Sequence, residues 1–265
     1  MSTPMFSLAR PLSVLVRPDN ALQLGLDAEG GLVFPDVPPG ADAAVRALRQ
    51  PRTLLEVSRL VPALPRGWLD GLVETLLDAG ALRRVEAATA PAVLVLGGGP
   101  LSDQAARLLA AEGWAVRDGV SGAVGGDVPV LVCAATAEPD RVLTRDLTAS
   151  GQAHLVVRAE PERAVVGPFV VPGRAACVGC TDLVRRDLDA GFPHLLAQLC
   201  RSEHTPAPRQ AAWAAAVASA QLEAWRAGRT PEALGATLEL DAHTGGYGVR
   251  AWPRHPDCGC AMAWG

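Results

Sequence analysis

The chain has 265 residues, a formal net charge of -4, 49% hydrophobic residues and 20% charged residues. That composition can bury a real core, and the length fits one large or two small domains. All 24 basic residues are arginine and the only asparagine is Asn20, so chemistry that needs a phosphate-loop or Schiff-base lysine is excluded, and the charge balance gives no reason to expect nucleic acid or an anionic membrane as partner.

The N-terminal run MSTPMFSLARPLSVLVRPDN lacks a basic region followed by a long apolar stretch, which argues against a signal peptide. No run of about 18 uninterrupted apolar residues occurs, so no membrane span is expected. The expected compartment is the cytoplasm. In that reducing setting, spaced cysteine pairs are more often metal ligands than disulfides.

The first strand is read at Ser13 to Arg17, stopped by Pro18-Asp19-Asn20. Ala21 to Leu26 gives a second, and Leu32-Val33-Phe34 a third after Gly30-Gly31. Asp42 to Leu48 reads as a helix. Thr53 can cap the next one, up to Val61, with Glu56 at the capping-box position. Arg66 to Asp78 carries Trp68, Leu69, Leu72, Val73, Leu76 and Leu77 at helical spacing, ends at Gly80, and leads into a strand at Ala81 to Val85. Strands, three helices and a closing strand resemble a winged helix. A short Ala/Thr/Pro stretch, Ala87 to Pro91, then marks a boundary, giving expected domains 1-88 and 89-265.

Beyond it the pattern is α/β. Ala92 to Leu96 is a buried-type strand leading through Gly97-Gly98-Gly99-Pro100-Leu101-Ser102 into a helix from Asp103 to Glu112. Strands follow at Trp114 to Arg117, Val128 to Ala134 and His154 to Arg158, with a helix at Pro139 to Thr148. The alternation argues a parallel Rossmann-like sheet. Helices are expected at Thr181 to Leu199 and Gln210 to Arg226. A hairpin, Thr237 to Leu240 with Gly248 to Ala251, turns through Gly245-Gly246.

Two cysteine pairs stand out, Cys177-Val178-Gly179-Cys180 and Cys258-Gly259-Cys260. Each lies in a turn beside glycine and can present two thiolates to one tetrahedral ion, so the four read as a structural zinc site stapling the C-terminal hairpin to the sheet. His255 is a candidate replacement for one thiolate. A redox pair and four unrelated cysteines are the alternatives, and Cys133 and Cys200 read as core thiols.

Gly97, Gly99 and Ser102 follow a strand and open a helix, the setting in which a glycine turn approaches a phosphate. Asp118, near the end of the next strand, stands where a ribose hydroxyl would be met. Pro100 removes one N–H and Asp103 makes the helix entry acidic. A nucleotide site and a turn that keeps its geometry without a ligand both remain open. The histidines are scattered, with no triad or metal spacing.

The order of these features resembles the ThiF-like adenylating superfamily: the glycine turn, a shortened sheet, Val166-Gly167-Pro168, Pro172-Gly173-Arg174-Ala175-Ala176-Cys177-Val178-Gly179-Cys180, and a late cysteine pair. It is most similar to the ThiF-like partner proteins of azoline-forming cyclodehydratases, which mature ribosomally made peptides and carry an N-terminal winged-helix module that binds the precursor leader. Leu22 to Asp27 looks like part of that module. The resemblance implies an α/β chain: a winged-helix α+β module, then a shortened Rossmann-like ThiF domain with a zinc-stapled hairpin.

Active members of the superfamily use an Arg, a Lys and usually an Asn around ATP. This chain has no Lys, its Asn lies outside the sheet domain, and only about 80 residues separate Gly97 from Cys177. The nucleotide turn is therefore expected to be degenerate and catalytic residues none. The implied function is non-catalytic: binding a leader peptide and presenting it to a separate YcaO-type cyclodehydratase subunit. The leader would add as a strand beside Leu32, Val33 and Phe34, with Trp68, Leu72 and Leu76 lining the groove. The alternative is an ATP-dependent adenylating enzyme acting on a peptide or carrier carboxylate. A homodimer is a further implied partner, with the Ala-rich helix around Trp213 a candidate interface. A DNA-binding winged helix is disfavoured, because Asp70, Glu74 and Asp78 form an acidic stripe on the helix that would read bases.

Overall fold

The computed structural model describes residues 4–26, 31–85, 90–119 and 128–261. The Gly30 turn, Asp27 and the boundary residues up to Thr89 lie outside that set, as does the side chain of Asp118. The chain forms two compact units, Met1–Thr89 and Ala90–Gly265.

Among the described residues, the first unit holds two three-stranded antiparallel sheets and three helices. One sheet orders β5 (Arg52–Thr53), β1 (Met5–Leu8) and β6 (Leu82–Val85). The other orders β2 (Val14–Val16), β3 (Leu22–Leu24) and β4 (Leu32–Phe34). The helices are α1 (Ala41–Ala47), α2 (Leu54–Leu60) and α3 (Arg66–Asp78). Thr53 starts α2 through the expected capping box: its hydroxyl accepts from the Glu56 N–H, and the Glu56 carboxylate accepts from the Thr53 N–H at 2.8 Å. In α3 the apolar positions Leu69, Leu72, Val73 and Leu76 turn to the core, while Asp70, Glu74 and Asp78 are exposed. Strand β1 was not expected from the sequence. Its partners, β5 and β6, lie far along the chain.

The second unit is a seven-stranded sheet in the order β13-β12-β11-β10-β9-β7-β8. Strands β7 (Ala92–Leu96), β8 (Ala115–Asp118), β9 (Val130–Cys133) and β10 (His154–Ala159) are parallel. Strands β11 (Arg163–Val170), β12 (Ala236–Asp241) and β13 (Tyr247–Ala251) extend it antiparallel. The fold class is thus mixed α/β, with both pairing modes in one sheet. One face carries α4 (Pro100–Ala111) and α8 (Pro208–Arg226) over a core with Val95, Leu109, Leu131, Leu155, Phe169 and Leu222. The other face packs Leu96, Val132, Val156 and Val170 against the cysteine segments. The remaining helices are α5 (Arg141–Ala149), α6 (Val178–Leu188) and α7 (Phe192–Leu199).

The helix expected over Thr181 to Leu199 is two helices. Asp189 Oδ1 accepts the Gly191 N–H at 2.8 Å, an Asx-type turn that breaks the run, and Pro193 restarts it in the first turn of α7. Helix α4 begins at Pro100, not Asp103; proline suits that first position because its missing N–H has no helical partner anyway. The Ala-rich face of α8 is spent inside the unit: Ala211, Ala214, Ala215, Ala218 and Leu222 are core, and Trp213 packs against them half-buried. Its opposite face, with Ala212, Ala216 and Ala220, is exposed.

Candidate functional site

The cysteines come together by local geometry. Cys177 caps α6 and Cys180 lies in its first turn, so both sulfurs sit at the helix start. Cys258 and Cys260 enter a tight 3-10 turn, Gly259–Ala261, which lets Cys-x-Cys spacing face one point. The Sγ atoms of Cys177 and Cys180 are 3.9 Å apart, Cys177 and Cys258 3.6 Å, and Cys180 and Cys260 3.5 Å. All four lie within 4.8 Å of one another. Tetrahedral zinc with bonds of about 2.3 Å sets its sulfurs about 3.8 Å apart, whereas a disulfide needs about 2.05 Å. The spacing fits four thiolates around one metal ion. A Cβ on Gly179 would press to 3.3 Å from Cys258 Sγ, so the small residue lets the cluster close. The hydrogen bond from Cys177 holds the Cys180 thiol well below the ordinary thiol range, and giving it pushes the Cys177 thiol up. A divalent cation would take the place of those shared protons.

His255 does not replace a thiolate. Its Nε2 pairs with Asp187 at 2.8 Å and its Nδ1 accepts the Asp257 N–H at 3.1 Å. It shapes the loop that delivers Cys258, whose N–H it binds through its carbonyl at 3.0 Å. Cys133 is buried in β9, its thiol pushed up to about 12 by burial; Cys200 is half-buried, its Sγ 3.8 Å from the Pro139 carbonyl.

The same helix is tied down by a charge network that the sequence did not reveal. Glu138, after β9, meets Arg141 at 2.9 Å, Arg185 at 3.0 Å and Arg158 at 3.1 Å. Arg141 also grips Asp182 with two hydrogen bonds, 2.7 and 2.9 Å. Burial pushes the Glu138 carboxyl up, but the three guanidiniums outweigh it and hold it low. Arg185 then stacks over Trp252, 5.0 Å from the ring centroid. These contacts fix α6, and with it Cys177 and Cys180, to the ends of the parallel strands.

The glycine turn sits at the C-terminal end of β7, beside the point where strand order reverses. Gly97 has a φ of +122°, and a Cβ there would meet the Cys133 carbonyl at 2.0 Å. Packing alone demands this glycine. The Ser102 hydroxyl donates inward to the Gly99 carbonyl at 2.9 Å. Asp118 ends β8, its backbone in register with Val95. Two clefts of about 530 and 600 Å³ flank the turn. Their acids are Glu203 and Asp103; the one described cation lining them, Arg107, is bonded to Gln104 at 2.9 Å. Such a lining does little to neutralise a triphosphate.

In the first unit, Leu32 and Phe34 pack on the core half-buried, Val33 is 48% exposed, and Trp68 is half-buried. Leu72 and Leu76 are 3% and 0% exposed. They are core residues with no surface to offer a peptide, which corrects the expected groove. The two edges of the β2-β3-β4 sheet differ. Bonding of Gly25 N–H to the Ser13 carbonyl sets the ladder so that Leu12 and Val14 point their carbonyls outward. Both are taken, by Arg49 at 3.4 Å and Arg46 at 2.7 Å. On the β4 side the register turns the Val33 N–H and carbonyl outward. Among the described residues nothing pairs with them.

No family model matches the chain, and no curated protein matches it. Solved structures do. A heterocyclase in complex with substrate and cofactor superposes with a TM-score of 0.65 at 15% identity, covering 98% of this chain and 40% of that one. The heterocyclase TruD gives 0.64 at 15% identity, covering 97% and 43%. E. coli MccB with MccA-N7isoASN gives 0.54 at 12% identity, covering 97% and 99%. The chain thus spans about two fifths of the heterocyclase chains and nearly all of MccB, and at these identities the likeness is one of fold. Among the described residues, no helix is long and apolar enough to cross a membrane.

Proposed function

We propose that this protein is a non-catalytic leader-peptide-binding protein. It presents a ribosomally made precursor peptide to a separate YcaO-type cyclodehydratase. The observation that carries the reading is a difference between the two edges of the β2-β3-β4 sheet: arginines occupy the Leu12 and Val14 carbonyls on one, and on the other both backbone groups of Val33 face outward with no partner among the described residues. An open edge next to apolar side chains suits an added peptide strand, with main-chain pairing for affinity and pockets for specificity. In this account residues 1-88 are a winged-helix recognition module. Residues 89-265 are a ThiF-like Rossmann domain whose thiolates Cys177, Cys180, Cys258 and Cys260 hold a structural zinc.

The fold neighbours support the reading. Two are heterocyclases, one of them solved with its substrate, and MccB was solved with MccA-N7isoASN. The heterocyclase chains continue well beyond the part this chain matches, which leaves room for a partner subunit to supply chemistry here. The lysine-free composition and the weakly cationic clefts at Gly97 weigh against adenylation. Calorimetric titration of the full chain with synthetic leaders of precursor peptides encoded beside it tests the proposal. Absence of heat with every such leader contradicts it.

A further inference from the structure

We propose that the cysteine cluster is a modification site for a small hydroperoxide, which enters by a cleft beside α5 and joins Cys177 to Cys258 through a disulfide. The cleft holds about 500 Å³ between α5 and the cysteine segments. Cys177, Cys258 and Cys260 line it, whereas Cys180, 0% exposed, does not. The cluster thus faces the cleft on one side and the sheet core on the other.

The opposite wall holds nothing free to shield the sulfurs. The Thr148 hydroxyl donates to the Thr144 carbonyl at 2.8 Å, and the Thr144 hydroxyl to the Asp140 carbonyl at 3.2 Å. Arg141 is held by Asp182 and Glu138. Gly179 lines the cleft beside both sulfurs: a Cβ there would stand 3.3 Å from Cys258 Sγ and 3.6 Å from Cys177 Sγ. Glycine leaves that approach open.

Distance and access pick the pair. Cys177 meets Cys180 and Cys258, and Cys180 meets Cys260, but only Cys177 and Cys258, 3.6 Å apart, are a contact with both members on the cleft wall. Cys258 is the more exposed of the two. Its thiolate attacks the O–O bond of the hydroperoxide and takes one oxygen as a sulfenic acid; the other oxygen leaves as the alcohol, or as water from hydrogen peroxide, with a solvent proton. The Cys177 thiolate then displaces the sulfenic oxygen, which leaves as water with a second proton. Each sulfur gives one electron, and the O–O bond takes both. A metal bound to the cluster loses two of its four ligands. The new bond spans α6 and the late turn, so a covalent staple replaces the metal one. In a reducing compartment such a bond is transient and reports oxidant.

The test treats the full chain with hydrogen peroxide at neutral pH. A non-reduced digest is mapped by mass spectrometry while a chromogenic chelator reads zinc release. Cys177–Cys258 should be the first disulfide, with circular dichroism unchanged and a dithiol restoring the thiols. Cys133, buried in β9, should stay reduced. Ala149→Leu, on the cleft wall at the exposed end of α5, narrows the entrance and should slow that disulfide at least about threefold, because oxidation follows access. A first disulfide between Cys177 and Cys180, sulfonic acid without a disulfide, or an unchanged rate in Ala149→Leu would each overturn the proposal. The cluster is that of the proposed function, but its metal is not needed for this outcome: protein isolated without zinc would contradict the structural zinc, and the disulfide map would still decide the oxidation site.

Discussion

Arg46 Nη2 donates to the Val14 carbonyl at 2.7 Å, occupying one acceptor on the outer edge of β2. Two strands away, Val33 holds the opposite edge of that small sheet with its backbone groups turned outward. One edge of the sheet thus carries guanidiniums on two of its carbonyls, while the other leaves the Val33 groups without a partner among the described residues. Removing the two guanidiniums should free both carbonyls and make the β2 edge easier to pair. Arg46→Ala with Arg49→Ala is expected to leave leader affinity within about twofold but to raise self-association on concentration, read by light scattering.

Four thiolates on one ion should tie the late turn to α6. Elemental analysis of the purified protein should find one zinc per chain. Cys258→Ser should lose it and lower Tm by roughly 10 °C, as expected for the loss of a few kcal/mol in a chain of this size. A zinc-free protein that melts like the wild type would remove the metal from the account.

Glu138 is surrounded by Arg158, Arg141 and Arg185. Glu138→Gln leaves buried guanidinium charge uncompensated and should cost about 3–5 kcal/mol at pH 7. The carboxyl is held below its ordinary value, so its contribution is complete above about pH 4.5 and is lost as pH falls through the lower folded value. Chemical denaturation at neutral and strongly acidic pH should show wild type and Glu138→Gln converging in acid.

His154 gives a second acid-sensitive term. Its Nδ1 donates to the Gln152 carbonyl at 2.9 Å, and among the described residues Nε2 has no partner. Burial lowers its pKa from 6.5 to about 4. The unfolded chain therefore binds the proton first, and stability falls as pH drops from 6.5 to about 4, by roughly 3 kcal/mol. His154→Leu should flatten that window of the stability curve; an unchanged slope would assign it elsewhere.

Local chemistry made much of this molecule legible. The Thr53–Glu56 capping box, the apolar stripe of α3 and the uninterrupted run of β7 each carry their signal within a few residues, and the structure places these elements as the spacing predicts. The cysteines could be picked out because two close pairs are rare, and the fold brings them within reach of one ion. What stayed hidden depends on distant partners. Strand β11 contains Gly167-Pro168, which reads locally as a turn, and finds its place only between β10 and β12. Arg158, Arg141 and Arg185 look like solvated charges in sequence, because Glu138 reaches all three only after α5 and α6 are laid on the sheet. Leu72 and Leu76 share the spacing of groove residues and core residues alike, and burial decides for the core.

The open edge at Val33 is the centre of the account, and it can be closed without unfolding the unit. Val33→Pro removes an outward N–H while leaving the bonds of Leu32 and Phe34 to β3 in place. Titration calorimetry of the full chain with its synthetic leader should give a measurable Kd, weakened at least about tenfold by Val33→Pro with Tm nearly unchanged. Equal affinity of the two proteins for the leader would contradict edge-strand recognition at β4.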